Sequence, residues 1–235
     1  DLNDDGKPDN ALGKALSAFA SQIKSGLDDA LVSGDLSIIL EPSDYKTDGS
    51  DFDMNVLIGA IDPSQVGSDG KPTCDTTKDK CKYQVETTSY DLLFDGKGMC
   101  PAVVNFNPSK IDKLTLTAGG PKQVFLLKFP ILNFVLEFAI SSATLKGTVD
   151  DAKNWKSTKD GHLCGMITKE AIDKAIDQIP EEELQKQGFD KATITALVGG
   201  VLKPDIDSDE NGTNESVSVH ILIETIPAEI TGVAK

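Results

Sequence analysis

The chain has 235 residues, with 23 lysines against 38 Asp and Glu, no arginine, and a formal charge of −15. So acidic a protein repels phosphate backbones and anionic membrane surfaces, and it lacks the planar guanidinium fork that grips phosphate, which excludes nucleic-acid binding as its primary function. At 39% hydrophobic residues it can bury one substantial core, so a single domain spanning 1–235 is expected.

The chain opens on an acidic stretch, Asp1 to Asn10, with Gly6 at its centre. From Ala11 to Val32, apolar residues recur every three or four positions (Leu12, Leu16, Phe19, Ile23, Leu27, Leu31), which predicts a helix with one apolar stripe. Gly34 supplies its stop. Strands are expected at 36–41 and 52–61, separated by the turn Asp48-Gly49. A polar excursion follows from 67 to 82. More strands are expected at 83–88, 92–94, 102–106, 113–116, 122–129, 131–140 and 143–149. Gly119-Gly120 and Asp160-Gly161 are read as turns. Thr168 caps a helix running to Ile179, and further helix is expected before Gly200, with Asp190 as a second cap. After a second acidic stretch, Val217, Val219, Ile221 and Ile223 alternate with polar residues, predicting a half-buried strand; a last strand is expected at 228–233. The sum is α+β: a mainly antiparallel sheet, as a sandwich or curved sheet, with an N-terminal helix and a C-terminal helical pair.

The most specific signal is a repeated donor spacing. Asp1, Asn3 and Asp5 precede Gly6, with Lys7 and Asp9 after it; Asp207, Asp209 and Asn211 precede Gly212, with Thr213 and Glu215 after it. Calcium takes six to eight oxygens, and donors at positions 1, 3 and 5 of a loop converge on one point when a glycine at position 6 allows the sharp turn. Position 7 offers its backbone carbonyl, here of Lys7 and Thr213. Asp205 stands close by as a further donor. Position 12 is Leu12 in one loop and Ser218 in the other, so the bidentate glutamate of an EF-hand is missing from both. Asn211 and Asn214 also begin glycosylation acceptor triplets.

Four cysteines with no C-x-x-C pair, beside only two histidines, argue against a zinc site. Loop length favours Cys74 with Cys81 and Cys100 with Cys164, and disulfides place a protein outside the reducing cytosol. No leader is visible, so an export segment is expected upstream; the most apolar stretch, 124–140, is interrupted by Lys128, Pro130 and Glu137 and is not a membrane span. Both faces of that stretch are apolar. It therefore forms either a sandwiched core or, through Phe125, Leu127, Phe129, Phe134, Leu136 and Phe138, the lining of a cavity for an apolar, lipid-like ligand.

The two acidic segments resemble the calcium loops of thrombospondin type-3 repeats and dockerins, and their placement around an α+β body resembles exported lipoproteins of myxobacteria and related bacteria. The resemblance covers about two dozen residues. It implies export, structural calcium and attachment at a bacterial cell surface, with a lipid anchor upstream, and it implies no reaction. There is no G-x-S-x-G elbow, phosphate loop or dinucleotide fingerprint, and His162 and His220 are read as structural or surface residues. The expected function is a non-enzymatic, extracellular or outer-membrane/periplasmic calcium-binding component that contacts a protein or matrix partner. The alternative is a carrier or sensor of an apolar ligand.

Overall fold

The computed structural model describes residues 9–17, 20–34, 36–91, 100–131, 134–186, 190–193, 195–196 and 202–234. Ten strands form one sheet: β1 (Ser37–Ser43), β2 (Phe52–Ile61), β3 (Lys82–Val85), β4 (Val104–Asp112), β5 (Thr115–Gly119), β6 (Val124–Ile131), β7 (Phe134–Val149), β8 (Thr158–Thr168), β9 (Ser216–Thr225) and β10 (Glu229–Val233). The order is β10-β3-β2-β4-β5-β7-β8-β9, with β1 paired to β2 and β6 to β7. All pairings are antiparallel except β10 with β3, so the sheet is mixed.

The predicted first helix is two: α1 (Ala11–Leu16) and α2 (Ala20–Ser33). Asn10 caps α1 by accepting from the Gly13 N–H at 2.8 Å. Gly34, at φ 77°, ends α2 as expected. Thr168 caps α3 (Lys169–Asp177) through the Ala171 N–H. Ile172 and Ile176, one turn apart on α3, are both buried and hold it against the sheet, each stabilising by about 1.5–3 kcal/mol. α4 (Glu181–Lys186) follows.

The strand predicted at 92–94 lies outside the described residues. The separate strands expected at 131–140 and 143–149 are continuous as β7 from Phe134. The largest correction is β8. Asp160-Gly161 is a bulge within a strand, not a turn: Asp160 adopts φ 48°, and the β8–β9 register shifts between Thr158 and Gly161. A bulge and a tight turn both call for a left-handed residue next to glycine, so sequence alone reads them alike.

The main core lies on one side of the sheet, with Met54, Phe106, Leu116, Ile140, Leu163 and Ile167 almost fully buried. Val217 and Val219 of β9 enter it, and Ile221 and Ile223 pack at its edge, as their alternation predicts. A smaller cluster around Leu57, Tyr83 and Val85 sits under the Cys74–Cys81 loop.

Candidate metal centre

The second acidic loop leads directly into β9. Its base is closed by the Ile206–Ser216 bridge, with hydrogen bonds of 3.0 and 3.1 Å between the two residues. Within it, Asp207 accepts from the Asn211 N–H at 3.0 Å and the Gly212 N–H at 2.6 Å; Asp209 accepts from the Asn211 N–H at 3.2 Å. Gly212 turns at φ 86°, a conformation that a side chain would resist. These bonds fold the loop back on itself, bringing carboxylate oxygens of Asp207, Asp209 and Glu215 within 4.8 Å of one another.

Glu215 is held from one side only. Its Oε1 accepts from the Ser208 N–H at 2.6 Å and from the Ser208 hydroxyl, while its Oε2 is buried with no hydrogen-bond partner. A carboxyl oxygen withdrawn from water without a partner is costly, and carboxylate oxygens of Asp207 and Asp209 belong to the same cluster as Glu215. Among the described residues, no lysine pairs with any of the three. A divalent cation held by the three carboxylates would offset their mutual repulsion.

The other predicted ligands fall differently. Both oxygens of Asp205 are engaged by Ser218, at 2.7 Å from its N–H and 2.6 Å from its hydroxyl, so Asp205 clamps β9. Asn211 turns its Oδ1 to the Thr213 N–H at 2.8 Å and its amide nitrogen to Asp209. Thr213 is exposed at the tip. Of the first loop, Asp1, Asn3, Asp5 and Lys7 lie outside the described residues, and Asp9 is half-buried.

Immediately after the first loop, the chain is tied to β9. The Asn10 amide donates to the His220 carbonyl at 2.8 Å, and the Ala11 N–H donates to the Ser218 hydroxyl at 2.8 Å. The residues next after one acidic loop are thus bonded to the strand that leaves the other. Asn10 and Ser218 carry that contact, and no sequence pattern singles out either for it.

His162 of β8 and His220 of β9 are adjacent, with Nδ1 and Nε2 2.7 Å apart and rings stacked at 5.0 Å. Burial, then the neighbouring His162, pushes the pKa of His220 down. Period-two alternation puts His220 on the polar face of its strand, whereas the sequence sets His162 beside the expected Asp160-Gly161 turn; the register of β8 on β9 brings the two together.

Cys74 and Cys81 form the expected disulfide, with Cα atoms 6.0 Å apart. The expected Cys100–Cys164 bridge is absent: both are free thiols. Cys164 lies on β8 opposite Thr144 and His220, whereas Cys100 precedes Ala102, which bridges to Tyr90 beside the smaller cluster. Separation along the chain does not encode this distance. Phe125, Leu127 and Phe138, candidates for a ligand cavity, are buried in the main core; the side chains of Phe129, Phe134 and Leu136 lie outside the described residues. No helix among the described residues is long and apolar enough to cross a membrane. No protein family, curated protein or solved structure matches this chain.

Proposed function

We propose that this is an exported, non-enzymatic, calcium-stabilised protein that serves as a surface or matrix component through protein contacts. The observation that carries the reading is the convergence of Asp207, Asp209 and Glu215, together with the buried and unpartnered Oε2 of Glu215. Three carboxylates within 4.8 Å repel by about 1 kcal/mol per pair even at the dielectric of water, and a calcium ion, which prefers carboxylate oxygens, reverses the sign. The Thr213 carbonyl and water complete the shell, and Asp205 and Asn211 hold the loop in shape. The Asp1–Asp9 stretch, which repeats the donor spacing in sequence, is a second candidate site. With few protein ligands per ion, affinity belongs with extracellular modules rather than cytosolic sensors.

Export is supported by the Cys74–Cys81 disulfide, which persists in oxidising compartments. The resemblance to calcium-loop lipoproteins of bacterial surfaces adds a lipid anchor upstream. Isothermal titration of the chelator-treated protein with calcium chloride tests the reading. Heat of binding with a dissociation constant at or below the millimolar range, lost in Asp207→Asn, supports it. No heat up to about 10 mM calcium, well above the range of extracellular sites, refutes it.

A further inference from the structure

Among the described residues, two edges of the sheet are left without a partner strand beside the same cleft: β1 pairs as a strand only with β2, and β9 only with β8. Both border a cavity of about 800 Å³. Residues 36–42, most of them in β1, line it consecutively, odd and even positions alike; Glu224 and Thr225, the last two residues of β9, line it too, with 226–228 of the connector to β10. A strand that presents a face shows alternate residues; one that presents every residue in turn is seen edge-on. The cleft is therefore a seam along the edge of β1 that reaches the end of β9, and Tyr83, Trp155 and Ile230 also line it.

Among the described residues, the open side of β9 is capped over its first half. Ser216 exchanges hydrogen bonds with Ile206, the Ser218 N–H is taken by Asp205, and the N–H and C=O of His220 are met by the Asn10 amide at 3.4 and 2.8 Å. By the two-residue period of a strand, Leu222 and Glu224 are next to point their backbone groups outward. Among the described residues nothing caps them, and Leu222 is 71% exposed. Folded proteins block free edges because they pair with other chains. Three successive caps followed by an uncapped stretch beside an aliphatic cleft single out that stretch as the place where pairing occurs.

We propose that the seam binds an extended peptide segment of a partner protein, about five residues long, which adds as a strand between β1 and the end of β9. Alternate residues of the segment would hydrogen-bond to the two edges, and their side chains would meet the aliphatic lining. Lys80 at the rim is paired with Glu229 at 3.8 Å, whereas Lys156 and Glu224 have no ion pair among the described residues. A segment with one acidic and one basic flank complements them. The proposal stands on the sheet edges and is independent of the calcium reading, although it supplies the kind of protein contact that reading calls for.

The test is selection of a random heptapeptide phage library on the whole immobilised protein, in buffer with about 2 mM calcium, enough to fill an extracellular-type site, and again with chelator. The winning peptide is resynthesised with each alternating set of backbone nitrogens methylated in turn. The expected result is a peptide of alternating apolar residues that alters the fluorescence of Trp155, the single tryptophan, and loses at least about tenfold in affinity on either methylation. Leu222→Pro removes one outward donor at a position where an edge strand tolerates proline, and it should cost a similar factor. If that variant misfolds by circular dichroism, Ile226→Lys at the cleft wall replaces it. No enriched peptide, affinity indifferent to methylation, binding unchanged in the variant, or light scattering showing a second copy in the seam would each overturn the proposal. Equal peptide binding with and without calcium separates its outcome from that of the metal site.

Discussion

Asn10 carries more of the fold than an exposed loop residue ordinarily does, and replacing it measures the joint between the chain ends. Its Oδ1 caps α1 at 2.8 Å, and its Nδ2 donates to the His220 carbonyl at 2.8 Å. An N-cap is worth about 1 kcal/mol, and a net side-chain-to-backbone hydrogen bond about 1 kcal/mol more. Asn10→Ala should therefore destabilise by about 2 kcal/mol, lowering the melting temperature by roughly 4–8 °C for a chain of this size. Asn10→Ser retains a cap but cannot reach across to β9, and should recover about half of the loss. Urea denaturation followed by far-ultraviolet circular dichroism gives both values. A loss under about 0.5 kcal/mol for Asn10→Ala, or equal losses for the two variants, would refute the idea that this side chain joins the N-terminal segment to β9.

Reducing the Cys74–Cys81 bridge opens a short loop, with a sequence separation of 7, and should cost about 2.5 kcal/mol by chain entropy, seen as a lower melting temperature in Cys74→Ser with Cys81→Ser. Gly119→Ala should destabilise by about 3 kcal/mol, because the residue sits at φ 86° and a new Cβ would lie 2.1 Å from the Ala143 carbonyl oxygen; differential scanning calorimetry reads this directly. The depressed pKa of His220 means that the unfolded chain takes up the proton first. Stability is therefore full above the ordinary histidine pKa, near 6.5, and falls as pH drops below it toward the folded value. Denaturation midpoints compared on either side of that pKa should show this slope, and His220→Gln should flatten it.

Much of this fold is legible in the sequence because its signals are local. β2 appears where Phe52 to Ile61 predicts it, β9 follows the alternation from Val217 to Ile223, and Thr168 and Gly34 mark helix ends through their own backbone chemistry. Pairings set by register are not legible. His162 and His220 meet only through the alignment of β8 on β9, and Cys100 is separated from Cys164 by a topology that spacing does not encode. The second acidic loop is readable because its donors and Gly212 all lie between Asp207 and Glu215. The clamp role of Asp205 is not, since it depends on where Ser218 falls, 13 residues later. The seam between β1 and β9 is hidden for the same reason: no local pattern reports that strands from opposite ends of the chain border one cleft.

The measurement that bears most directly on the calcium reading is the melting temperature in about 5 mM calcium, in the same concentration of magnesium and in chelator, for the unaltered protein and for Asp207→Asn. A site filled at about one hundred times its dissociation constant adds about 2.7 kcal/mol, so calcium should raise the melting temperature by roughly 5–11 °C. Magnesium, which demands a tighter octahedral shell, should do much less, and Asp207→Asn should lose most of the calcium increment. Identical melting curves in calcium and chelator would contradict the account: Asp207, Asp209 and Glu215 would then converge for the sake of the turn alone.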